Sequence, residues 1–130
     1  EQLEAFLQPL SDAGVDIFHA SQRRFWEPEF EGSDLNLAGW TKKLTGKPAI
    51  SVGSVGLNVD FLEGTLSANP MDSIGQRGLE ELLERMENEE FDMIAVGRAL
   101  LQDPEWTVKV QQNRLDELAD FDRAAIAKLY

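Results

Sequence analysis

The chain has no cysteine and a single histidine in 130 residues. Without thiols there is no disulfide framework and no thiolate zinc site. Basic residues are scarce as well: 12 Lys and Arg face 24 Asp and Glu, a formal charge of −12. That balance argues against nucleic acid or an anionic membrane as a general partner, because both require a basic footprint. It leaves room for one bound phosphate, which depends on local donors. No apolar run approaches the roughly 18 residues of a membrane span, and no signal peptide is recognisable in these residues. The expectation is a soluble cytoplasmic protein.

What is present is a regular alternation. Leu3, Phe6, Leu7 and Leu10 recur at helical spacing and predict a helix over 1–12, kinked or shortened by Pro9 and stopped at Gly14. Residues 15–20 are short, apolar and β-branched at their start, and predict a strand. Residues 21–35 are polar and aromatic without period, and predict a loop. Leu37, Trp40 and Leu44 predict a short helix stopped by Gly46, and Pro48 opens a second strand over 49–52. Residues 57–76 read as a long loop with a helical turn near 60–62. Leu79, Leu82, Leu83 and Met86 mark a helix, and 91–96 a third strand. A helical turn over 99–101 follows, then a helix opened by Asp103-Pro104, then a short tail helix over 122–129. Alternation at this spacing means parallel βα units, in a doubly wound sheet or in a barrel.

Two strands end alike. Val52-Gly53 is followed by Ser54, and Val96-Gly97 by Arg98. In a parallel sheet both turns lie at the C-terminal face, where sites form. A residue without a side chain lets its backbone N–H approach an anion closely. The turn at Gly97 leads into a short helix whose leading N–H groups favour a phosphate. Arg98 adds a fixed charge and a donor fork suited to phosphate oxygens. The spacing is equally satisfied if both glycines only make tight βα turns.

Several stretches resemble the old yellow enzyme family of NAD(P)H:flavin oxidoreductases. They are Gly14-Val15-Asp16-Ile17-Phe18-His19, Gly46-Lys47-Pro48 leading to Val52-Gly53, the run from Phe91 through Gly97-Arg98 to Leu101, and Asp103-Pro104-Glu105-Trp106. The last two are the most specific, and the resemblance covers nearly the whole chain in order. It implies the sixth to eighth strands of a TIM (β/α)8 barrel that binds FMN. Gly53, Ser54, Gly97 and Arg98 then fall where that family holds the FMN phosphate, and Val52 near the flavin ring. NAD(P)H would be the reductant and an activated alkene or enone the substrate. A full barrel needs about 250 residues, and the chain opens at Glu1 within a helical pattern, so the resemblance implies the C-terminal fragment of one FMN-binding domain, inactive alone. Its open edges would pair with a second copy or with the missing strands. The family's substrate-binding pair and Tyr proton donor come from strands not present here. Two other readings stay open: a phosphate-binding barrel acting on a sugar or nucleotide phosphate, and a non-catalytic half-barrel used for assembly.

The remaining candidates favour ordinary structural roles. His19 does not match the family's substrate-binding pair and reads as structural. Arg23, Arg24 and Trp26 could line the mouth of a site, but a loop held by salt bridges to Glu27, Glu29 and Glu31 is the favoured reading. Trp40 and Trp106 read as core. The acidic run from Glu80 to Glu90 reads as a solvated helix face. Asp16 and Asp92 precede strand centres at matching places and are expected to tie a strand start to a neighbouring helix or loop. No metal ligand set is expected.

Overall fold

A computed structural model describes residues 1–57 and 74–128. Its elements alternate: α1 (Gln2–Asp12), β1 (Phe18–Ser21), α2 (Leu37–Thr45), β2 (Ala49–Val52), α3 (Ile74–Glu87), β3 (Met93–Ile94), α4 (Arg98–Gln102) and α5 (Trp106–Gln111). Two 3-10 turns, Leu115–Glu117 and Arg123–Ala127, follow. The strands form one parallel sheet in the order β1-β2-β3. The protein is thus an α/β fold of alternating βα units. Among the described residues the sheet is open, with β1 and β3 as its edges. No helix among the described residues is long and apolar enough to cross a membrane.

The chain divides into two compact units. The first comprises Glu1–Gly53 and Glu81–Ala95, the second Ser54–Glu80 and Val96–Tyr130. In the first unit, Phe18 and Ala20 of β1 pair in register with Ala49 and Ser51 of β2, and all four are buried. α2 packs on β1 and β2, and α1 packs on α2. The other face carries the row His19–Ile50–Met93, of which His19 and Met93 are exposed.

The ends of α2 follow from local chemistry. Asn36 Oδ1 accepts from the Gly39 N–H at 2.8 Å, which satisfies a leading donor of the helix. Gly46 closes it in the left-handed conformation at φ 67, and its N–H donates to the Lys42 carbonyl at 2.8 Å. Asn36 is wholly buried. Its Nδ2 donates to the Phe25 carbonyl at 2.9 Å and to Ser51 Oγ at 3.2 Å. One side chain therefore joins the loop after β1, the middle of β2 and the start of α2.

The starts of β2 and β3 are joined by Asp92. Its carboxylate accepts from Lys42 Nζ at 2.9 Å and from the Ala49 N–H at 2.9 Å. This is the role expected for Asp92, whereas Asp16 is exposed. Desolvation pushes the Asp92 carboxyl up, but the Ala49 N–H and the Lys42 ammonium together outweigh it and hold the group below its ordinary value.

Several boundaries differ from those expected. α1 runs through Pro9, whose carbonyl accepts from the Ala13 N–H at 3.0 Å. The carbonyl deprived of a donor by Pro9 is that of Ala5, which is exposed and can be hydrated. β1 begins at Phe18, because the Val15 N–H is used to close α1 onto the Leu10 carbonyl. β3 is only two residues long, yet the ladder continues on both sides, Asp92 N–H to Ala49 O and Ala95 N–H to Ser51 O, each at 2.9 Å. α3 starts at Ile74, inside the expected loop; residues 58–73, with the turn expected near 60–62, lie outside the described residues.

In the second unit the core is Val55, Leu57, Leu79, Ala99, Trp106 and Ala125. α5 starts at Trp106 rather than at Pro104. Asp103 instead forms a turn of its own, accepting from the Glu105 N–H at 3.0 Å and from Lys109 Nζ at 2.6 Å. The tail forms a 3-10 turn rather than a regular helix, capped by the Asp122 side chain on the Ala124 N–H at 2.8 Å; Leu129 lies outside the described residues.

Candidate functional site

The turn after β2 begins at Gly53, the last residue of the first unit before the boundary. A Cβ there would lie 2.6 Å from the Gln22 carbonyl oxygen, 3.0 Å from Phe25 N and 3.1 Å from the Arg24 carbonyl carbon. The Gly53 carbonyl accepts from the Phe25 N–H at 3.0 Å, and the Val52 carbonyl from the Gln22 N–H at 3.1 Å. The loop after β1 thus lies against the end of β2, and its backbone occupies the side-chain space at Gly53. Close packing accounts for glycine at this position.

Ser54 and Gly56 belong to the second unit, as do Gly97 and Arg98. Ser54 takes the left-handed conformation at φ 53 and is nearly buried. Gly56 takes it again at φ 68. Left-handed residues thus stand on either side of Val55. The Leu57 N–H returns to the Ser54 carbonyl at 3.2 Å and closes the turn. At Gly56 a Cβ would lie 2.9 Å from Trp106 Nε1 and 3.0 Å from Ala99 Cβ. The turn is therefore pressed onto α4 and α5, one residue from Arg98 along α4.

Gly97 differs from Gly53. It is exposed, and a Cβ placed on it would meet no atom within 4 Å. Its carbonyl accepts from the Leu100 N–H at 3.0 Å and the Leu101 N–H at 3.2 Å, which starts α4. Arg98 is half-buried. Its guanidinium carbon lies over the Phe121 ring, 5.8 Å from the centroid. Phe121 carries little signal in the sequence beyond being an aromatic residue between Asp120 and Asp122.

The other expected residues take structural places. Arg24 pairs with Glu27 at 2.6 Å, and Trp26 stands edge-on to Phe25 at 5.1 Å. Arg85 of α3 pins this loop by donating to the Trp26 carbonyl at 3.2 Å and the Asp34 carbonyl at 3.1 Å. The same guanidinium pairs with Glu81 and Glu90 at 3.0 Å each, so two members of the acidic run are engaged while Glu80, Glu84, Glu87 and Glu89 are exposed. Trp106 is buried. Trp40 is half-buried beside Phe30, with Lys43 Nζ over its ring at 4.6 Å. Its indole Nε1 is buried and has no hydrogen-bond partner among the described residues.

Neither a scan of protein-family models nor a search of curated proteins finds a match to this chain.

Proposed function

We propose that this chain carries the FMN-phosphate site of an FMN-dependent NAD(P)H oxidoreductase of the ene-reductase type, with β1–β3 as the sixth to eighth strands of a (β/α)8 barrel. The observation that carries the reading is the seating of the Ser54–Gly56 turn on Trp106 and on Ala99, the residue that follows Arg98 in α4. The turn after β2 thus packs against the helix that opens after Gly97, which supports this reading. The all-parallel sheet with sequential neighbours supports the same architecture.

The residues present suit a phosphate. Arg98 supplies a permanent charge and planar donors. The alternating backbone at Ser54 and Gly56 supplies N–H groups. The absence of a side chain at Gly97 leaves room for phosphate oxygens near the start of α4. Gly53 is needed by the loop after β1, so its part is to let the turn form. When bound, the flavin supplies the hydride chemistry between NAD(P)H and an activated alkene or enone. The role of this chain is to anchor and orient. No described residue is assigned to proton transfer.

The test compares FMN with riboflavin, which lacks the phosphate. Arg98→Ala is expected to weaken FMN binding about ten- to a hundredfold, the usual worth of a charged hydrogen-bonding group, with riboflavin affinity and the melting temperature unchanged. Equal FMN affinity in wild type and variant rejects the site. If a sugar or nucleotide phosphate competes while both flavins fail to bind, the phosphate site stands and the flavin reading falls.

A further inference from the structure

The stretch Asp103-Pro104-Glu105-Trp106 is among the most specific in the sequence, yet phosphate anchoring as described above gives it no task. Its hydrogen bonds form a brace. The Asp103 N–H donates to the Ala99 carbonyl at 2.9 Å, and the Asp103 carbonyl accepts from the Trp106 N–H at 3.0 Å. The Asp103 carboxylate accepts from the Glu105 N–H at 3.0 Å and from Lys109 Nζ at 2.6 Å. The two charged side chains are largely enclosed, Lys109 at 15% and Asp103 at 10% exposure, so salt screens this pair less than a surface one. One residue thus ties α4 to the start of α5, and Trp106, itself buried, is held at that junction. All of these residues belong to the second unit, as does the Ser54–Gly56 turn.

The brace ends on that turn. A Cβ at Gly56 would stand 2.9 Å from Nε1 and 3.1 Å from Cε2 of Trp106, so the edge of the indole lies against the Gly56 backbone. Ala99, whose carbonyl takes the Asp103 N–H, covers the same place with its Cβ at 3.0 Å. The turn needs such support. Ser54 is left-handed at φ 53, a region that a residue with a side chain occupies only when its surroundings hold it there. The closing bond from the Leu57 N–H to the Ser54 carbonyl is 3.2 Å, at the long end of the ordinary range. A site made of backbone donors depends on where those donors stand before the ligand arrives, because ordering them afterwards subtracts from affinity.

We propose that Trp106, fixed by the Asp103–Lys109 pair, is a positioning residue for the Ser54–Gly56 turn and through it for phosphate recognition. This rests on the phosphate-site reading above. Trp106→Phe withdraws the Nε1–Cε2 edge and keeps an aromatic core residue. Titrations with FMN and riboflavin, well below the melting temperature of each protein, measure the phosphate preference. Trp106→Phe is expected to lower the preference for FMN over riboflavin about fivefold and to leave riboflavin affinity unchanged. Asp103→Asn keeps an acceptor for the Glu105 N–H but gives up the charge that holds Lys109. By Coulomb attraction alone, removing a negative charge raises affinity for a phosphate. The brace requires the opposite sign, a loss of about twofold or more in the same preference. A third measurement uses the wild type only: inorganic phosphate is expected to shift both the Gly56 amide and the Trp106 indole Nε1–H resonances.

If Trp106→Phe keeps the wild-type preference, or weakens both flavins equally, Trp106 serves the core alone and the proposal falls. An unchanged or raised FMN preference in Asp103→Asn overturns the brace. So does a Gly56 amide that responds to phosphate beside an indole that does not, and that result depends on no variant folding. If wild type binds FMN no better than riboflavin and neither resonance moves, the phosphate-site reading itself has failed and takes this inference with it. Weakened FMN binding in Arg98→Ala together with an unmoved preference in Trp106→Phe rejects the positioning role alone.

Discussion

At the scale of single residues, two glycines that look equivalent in sequence do different work. Gly53 has no room for a side chain, since a Cβ would stand 2.6 Å from a backbone oxygen. Gly53→Ala is expected to cost about 1–3 kcal/mol through forced backbone movement. Gly97→Ala meets nothing within 4 Å and is expected to cost less than about 1 kcal/mol, the scale of a changed cap residue. It should nevertheless lower FMN affinity, because the new methyl enters the space assigned to the phosphate. Chemical denaturation of both variants checks the first pair of statements, and FMN titration the last. The sequence made both positions visible as strand-end glycines. It could not show which one is packed, because the atoms that crowd Gly53 belong to residues 22–25, a loop brought in by the tertiary fold. Asp92 was legible in kind, as a tie between a strand start and a neighbouring element, but its partners Lys42 and Ala49 emerge only in the fold.

At the scale of elements, the best-defined boundaries are those with local chemistry. α2 has a side-chain cap at Asn36 and a left-handed glycine at its end, and β2 lies between Pro48 and Gly53; both stand where the sequence places them. β1, β3 and α5 shifted because hydrogen bonds that residue types do not announce set their limits: Val15 is used by α1, and Asp103 makes a turn before α5 instead of capping it. Asn36 shows how much one such residue can hold. Asn36→Ala removes a helix cap and leaves the buried Phe25 carbonyl and Ser51 hydroxyl without that donor, so a loss of more than about 2 kcal/mol is expected. A urea midpoint unchanged from wild type would show that water or a rearranged loop replaces it. Arg85 was not legible as a structural residue, since four of its partners are carboxylates or carbonyls gathered from three separate parts of the chain.

At the scale of the molecule, pH acts through Asp92. Its folded-state value is depressed, so its contribution to stability is present above the unfolded value and is lost as pH falls through the folded one. Stability is expected to decline from about pH 4 downward, and Asp92→Asn to flatten that decline. The effect should be modest and should shrink in salt, because the Asp92 side chain is 36% exposed. Urea midpoints measured against pH in both proteins decide it. Parallel sheets are ordinarily covered on both faces, yet Met93 of β3 is 37% exposed. Self-association of the chain is therefore expected, and a monomer by light scattering at micromolar concentration would argue against it.

The Lys42–Asp92–Ala49 clamp sits where β2 and β3 begin, and the candidate phosphate turns sit where they finish. Tolerance to heat and acid can therefore be rewritten at positions 42 and 92 apart from the turns. Selection on the ligand can likewise rework the turns while the base of the sheet stays fastened. A lineage that moved to an acidic habitat would be expected to record the move at one end of these strands only.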